Sequence, residues 1–178
     1  MKKNILVPIL ILVVVSGMLL GMSFGLNRIA AANAQKEHLQ IMQTILPGST
    51  EFTVEPYAGE DASIRSVHKG ETGFVVETVT YGYAGEITML IGVTKEGKVT
   101  GLVVREMSDT LGLGGNALTD HVFLAQYLNT SGEAEVGTNV DAITGATVTS
   151  KAITRSVNSA VAYVTGADTG SAATSWGG

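Results

Sequence analysis

Apolar residues fall into two regimes along the chain. From Ile5 to Leu26 no charged residue interrupts the run, and as a helix it would reach about 33 Å, enough for the hydrocarbon core of a bilayer. Beyond it the apolar positions become periodic. Ile29–Leu46 is rich in Ala, Gln, Leu and Met, sets Leu39, Met42, Ile45 and Leu46 on one side, and meets Pro47-Gly48. This is the pattern of a helix that continues from the span as a semi-rigid stalk and stops at the proline. Residues 49–72 are polar, with short strands expected near Glu51–Glu55 and Ser63–His68. Phe74–Tyr81, Ile87–Val93 and Val99–Glu106 then read as strands, the last two joined by a hairpin turn, Thr94–Lys98, whose glycine, Gly97, comes late. The set predicts a meander of half-buried antiparallel strands.

A helix is expected over Asn116–Leu128, with Leu118, Phe123, Leu124, Tyr127 and Leu128 turned to the core. Asn129–Thr138 is a polar loop. A last helix follows the small-residue segment Asp141–Ser150 and carries Ile153, Val157, Ala160, Val161 and Val164 on one face, with Thr149 or Ser150 as its cap if the segment is an ordinary loop. The fold class is therefore α+β: an antiparallel sheet with packed helices, preceded by one N-terminal transmembrane helix. Residues 1–28 form the anchor, 29–48 the stalk, 49–165 the folded domain and 166–178 a flexible tail that holds Trp176.

A length of 178 residues suits one domain of ordinary size plus a short extra element. Lys2 and Lys3 precede the span, which keeps the N-terminus cytoplasmic and puts residues 29–178 outside the cell membrane. Ala32-Asn33-Ala34 offers a cleavage pattern, so a signal peptide is the alternative. The apolar run exceeds the ~7–15 residues of a signal core, which favours a retained single-pass anchor. Gly17, Gly21 and Gly25 recur every fourth residue, a spacing that lets a second helix approach closely.

Past residue 28 there are 8 basic against 16 acidic side chains, a net charge of −8. An acidic body with no basic stripe argues against nucleic acid and against docking flat on anionic lipid. The absence of cysteine excludes disulfides, cysteine-held iron–sulfur clusters, zinc ribbons, thioether-linked haem and a lipoprotein anchor. His38, His68 and His121 are dispersed without ligand spacing, so no metal site is expected. No nucleophile motif occurs. With no catalytic residue of its own, the protein would rely on a cofactor for chemistry.

The segment that fits a cofactor is Asp141-Ala-Ile-Thr144-Gly145-Ala146-Thr147-Val-Thr149-Ser150, a hydroxyl-rich loop running into a helix. Unpaired N–H groups and the partial positive charge of a helix N-terminus stabilise a phosphate there without a lysine cluster. The segment resembles the Asp-x-x-(Ser/Thr)-Gly-Ala-Thr signature of FMN-binding domain proteins, a family that includes the G subunit of Rnf complexes and the C subunit of the sodium-pumping NADH:quinone reductase. Other blocks occur in family order ahead of it. Tyr81-Gly82-Tyr83-Ala84-Gly85-x-Ile87 is similar to Gly-Tyr-x-Gly-x-Ile, the Gly97 hairpin to Gly-Lys-Ile, and Asp109-Thr110-Leu111-Gly112-Leu113-Gly114 to Glu-Thr-Pro-Gly-Leu-Gly, with Asp109 for Glu and Leu111 for Pro.

The resemblance covers roughly residues 40–165. It implies FMN joined by a phosphoester to Thr147, with Asp141, Thr144, Gly145 and Ala146 read by a Mg-dependent flavin transferase that uses FAD as donor. Thr110, Leu111, Gly112, Leu113 and Gly114 would lie against the isoalloxazine ring. The implied role is electron relay in an Rnf-type ferredoxin:NAD oxidoreductase, among other membrane subunits. A free-standing anchored flavoprotein and a flavin-free binding domain are the alternatives.

Overall fold

The antiparallel meander expected from the alternating segments is present. The structure is a computed structural model that describes residues 6–107 and 120–167, with side-chain environments described continuously along the first helix only from Asn33. Among the described residues, β1 (Thr53–Glu55), β2 (Ile64–Lys69), β3 (Gly73–Tyr81), β4 (Glu86–Thr94) and β5 (Val99–Met107) pair in chain order, each antiparallel to the next. The helices are α1 (Leu6–Ile45), α2 (His121–Ala125) and α3 (Thr147–Thr165). The class is α+β.

The chain falls into two compact units, Met1–Gln40 and Ile41–Gly178. In the first, α1 is helical from Leu6. No helix among the described residues is long and apolar enough to cross a membrane. The uncharged stretch Leu6–Leu26 lies within α1, and most of its side chains fall outside the described set.

In the second unit both faces of the sheet are covered. One face packs against α2, α3 and the segment between them, in a core that includes Val67, Val76, Met89, Ile91, Leu102, Phe123, Tyr127, Ile153, Val157 and Val161. The other face meets the last turn of α1, where Met42, Ile45 and Leu46 are buried with Val75 and Leu90. That turn sits directly on the sheet because glycines face it. A Cβ at Gly101 would come within 2.9 Å of the Ile45 Cα, and one at Gly92 would run into the Ile45 carbonyl. Thr100 also donates its hydroxyl to that carbonyl.

Three expectations need correction. The strands are not uniformly half-buried: β4 is buried from Ile87 to Val93 because helices cover both its faces. Of the four residues expected on one side of the stalk helix, Met42, Ile45 and Leu46 are buried but Leu39 is 37% exposed, so that side is not buried along its whole length. The helix expected over Asn116–Leu128 is observed only from His121 to Ala125, and Asn116–Thr119 lie outside the described residues. After Ala125 the chain tightens into successive turns, Tyr127 N–H to Leu124 O and Leu128 N–H to Ala125 O, and Asn129 takes a left-handed φ of 63°. This change of pitch keeps Tyr127 buried and turns Leu128 out, 42% exposed.

Candidate functional site

α3 begins at Thr147 itself, not after the hydroxyl-rich segment. Its cap is Ala146, which has no polar side chain to offer, and no acidic residue stands in the first turn. The helix start at Thr147 and Val148 therefore keeps the partial positive charge of an uncapped N-terminus. Thr149 and Ser150, considered as caps, are instead buried inside the helix. Ser150 works as a staple: its hydroxyl donates to the Ala146 carbonyl and accepts from the Ile143 N–H, both at 3.0 Å.

The preceding loop is a tight turn. The Ala146 N–H reaches the Ile143 carbonyl at 2.9 Å. Gly145 is third in that turn with φ 77°, the left-handed conformation that type II turns reserve for glycine. The turn thus engages both backbone groups of Ile143, yet the three polar side chains of the signature stay unengaged. Asp141, Thr144 and Thr147 are all exposed, and none makes a side-chain hydrogen bond among the described residues. A buried, satisfied hydroxyl would be a structural residue; an exposed one on an uncapped helix start is open to modification.

Two residues that sequence reasoning passed over belong to this site. Lys151 is exposed, and its position four residues after Thr147 puts it on the same helix face, a turn along. The spacing was legible once Thr147 had been singled out. Gln126 follows α2 and holds Asp141 by both backbone groups: its Oε1 accepts from the Asp141 N–H at 2.7 Å, and its Nε2 donates to the Asp141 carbonyl at 3.3 Å. No local pattern announces a contact across fifteen residues.

The loop between β3 and β4 closes near the start of α3, since a Cβ at Gly82 would lie 3.4 Å from the Thr149 hydroxyl oxygen. Tyr81 and Tyr83, at this tip, are 67% and 75% exposed. Thr110, Leu111, Gly112, Leu113 and Gly114 lie outside the described residues. Under the site, Tyr127 shares a 2.8 Å hydrogen bond with Thr154, whose hydroxyl also donates to the Ser150 carbonyl at 2.9 Å. Burial pushes the Tyr127 phenol up to about 12, against the opposite effect of the Thr154 hydrogen bond. Among the described residues no cluster of His, Asp and Glu could hold a metal ion.

The donor set fits a phosphate ester: an exposed hydroxyl as the ester oxygen, a helix start without a side-chain cap and a lysine one turn on. Comparison with known proteins gives the family. Residues 82–162 match the model of the FMN-binding domain family. The chain is 30% identical to the G subunit of the Na(+)-translocating ferredoxin:NAD(+) oxidoreductase complex of Acetobacterium woodii over 76% of this chain and 79% of that protein. With the G subunit of the ion-translocating oxidoreductase complex of Methanosarcina acetivorans it shares 32% identity over 77% and 78% of the two chains. The chain belongs to the FMN-binding domain family. It is also 38% identical to the G subunit of the proton-translocating ferredoxin:NAD(+) oxidoreductase complex of Clostridium ljungdahlii, in a match that spans about half of each chain, 52% and 53%. The family match begins at Gly82 and ends in α3, so it takes in the β3–β4 tip, β4, β5 and the whole signature segment.

Proposed function

We propose that this protein carries FMN as a phosphoester on Thr147 and serves as an electron-carrying subunit of a membrane-bound, ion-translocating Rnf-type ferredoxin:NAD oxidoreductase. In this reading residues 5–26 are its single membrane span, and the flavin domain lies on the outer side. The observation that carries the proposal is the state of Thr147. It is the last residue of the family signature, its hydroxyl is exposed and unpaired, and it opens a helix that no side chain caps. The similar G subunits supply the assembly, and the uncharged N-terminal run supplies the anchor.

The residues have separable tasks. Thr147 provides the oxygen. In attachment, its Oγ bonds to the flavin-side phosphorus of FAD, the pyrophosphate P–O bond breaks, AMP departs and the hydroxyl proton is released to base; no electron changes hands. The first-turn N–H groups of α3 and the Lys151 ammonium offset the remaining phosphate charge in an otherwise acidic domain. Asp141 and Thr144 present exposed side chains for the transferase to read, and Gly145 supplies the turn that sets them. When bound, FMN supplies the exchange of one or two electrons. A covalent ester also retains the cofactor outside the cell.

Full-length protein co-expressed with a flavin transferase is expected to give a band fluorescent under ultraviolet light on a denaturing gel, and Thr147→Val a dark one. A dark wild-type band beside a labelled control protein would reject the attachment. Co-purification of several integral membrane subunits would distinguish the complex from a free-standing carrier.

A further inference from the structure

The signature loop is held by residues that the signature does not contain. At its downstream end Ser150 ties Ile143 to Ala146 through one hydroxyl. At its upstream end the only side chain that grips Asp141 among the described residues is Gln126, which uses both halves of its amide. The same Nε2 lies 3.4 Å from the Phe123 carbonyl, at the end of α2, so one side chain joins helix end and loop start. Between these two clamps the Asp141, Thr144 and Thr147 side chains stand exposed, without hydrogen-bond partners among the described residues. An enzyme reading those three groups on the folded domain meets them at fixed separations. If the loop were free, it would have to be ordered on each encounter, at a cost of lost backbone freedom.

We infer that Gln126 is a positioning residue for flavin attachment: it fixes the backbone of Asp141 so that the transferase recognises the signature as a preset shape. The inference rests on the proposed modification of Thr147. A comparison lies within the same connecting segment. Asn158 holds Ala134 in the same two-sided manner, Nδ2 to the Ala134 carbonyl at 2.8 Å and the Ala134 N–H to Oδ1 at 3.3 Å, but Ala134 is outside the signature.

The test uses full-length apo protein, purified from cells without transferase and then incubated with transferase, FAD and magnesium. Initial labelling rates are read by in-gel fluorescence over a series of substrate-protein concentrations. Gln126→Ala is expected to raise KM about tenfold with kcat within about twofold, the scale of losing two neutral hydrogen bonds that order a bound segment. Gln126→Glu keeps the acceptor for the Asp141 N–H and loses the donor, so its KM should fall between the two. Asn158→Ala should leave KM at the wild-type value. If Gln126→Ala does not fold, Gln126→Met, which keeps the bulk without the amide, takes its place with the same expectation. Wild-type KM in the Gln126 variants, faster labelling, or an equal rise in Asn158→Ala would each overturn the inference. Failure of the wild type to label would instead reject the attachment reading.

Discussion

At Gly145 the main chain turns with φ 77° one residue before the helix cap. An L side chain in that region costs roughly 1–2 kcal/mol, and the turn has no slack to relax it because Ile143 is bonded to both Ala146 and Ser150. Gly145→Ala should therefore lower unfolding free energy by about that amount in urea titration and slow labelling of Thr147. A second residue-level prediction concerns pH. Tyr127 is fully buried, and its phenol is raised from 10.0 to about 12 in the folded protein. A raised folded value means that the contribution is complete below pH 10 and is lost as pH climbs through about 12, because only the unfolded chain releases the proton easily. Urea midpoints should fall over this window, by an amount on the order of 2 kcal/mol in stability, and Tyr127→Phe should flatten that fall. At this scale the sequence was uneven. Thr147 and Asp141 could be singled out because the signature is local. Gln126 could not, because its role exists only once α2 and the loop have been folded together.

Among the elements, β4 shows how burial reshapes pattern. Its run Ile-Thr-Met-Leu-Ile-Gly-Val lacks clean alternation because both faces are covered. The reason lies in α1. Its last turn is part of the sheet's second core, with Leu46 at 0% and Ile45 at 3% exposure. A stalk helix and a core helix have the same periodicity, so the sequence could place Met42, Ile45 and Leu46 on one side without revealing what that side met. Leu46→Ala should cost about 2–5 kcal/mol in chemical denaturation. A chain beginning at Ser49 should be markedly less stable than one beginning at Lys36, which retains that turn. Equal stability of the two would contradict the packing described. The shorter α2 has a comparable explanation. Helical spacing from Phe123 to Leu128 was real, but the turns after Ala125 and the left-handed Asn129 redirect the chain, and such a change of pitch leaves no periodic mark.

For the whole molecule, order along the chain determined most of what could be read. Successive strands pair with their neighbours, so listing them in sequence already gave the sheet order. The acidic charge argued against nucleic acid partners, and the lack of cysteine excluded cysteine-held redox centres. An organic cofactor remained compatible with both, and the family membership points to FMN. The most direct measurement is peptide mapping by mass spectrometry of the protein and of Thr147→Val, each co-expressed with a flavin transferase. The wild-type peptide containing Thr147 should carry the mass of one FMN phosphoester, with fragment ions that place it on Thr147, and the variant should carry none. An unmodified Thr147 peptide from cells in which a control protein is labelled, or FMN found on another residue, would contradict the account.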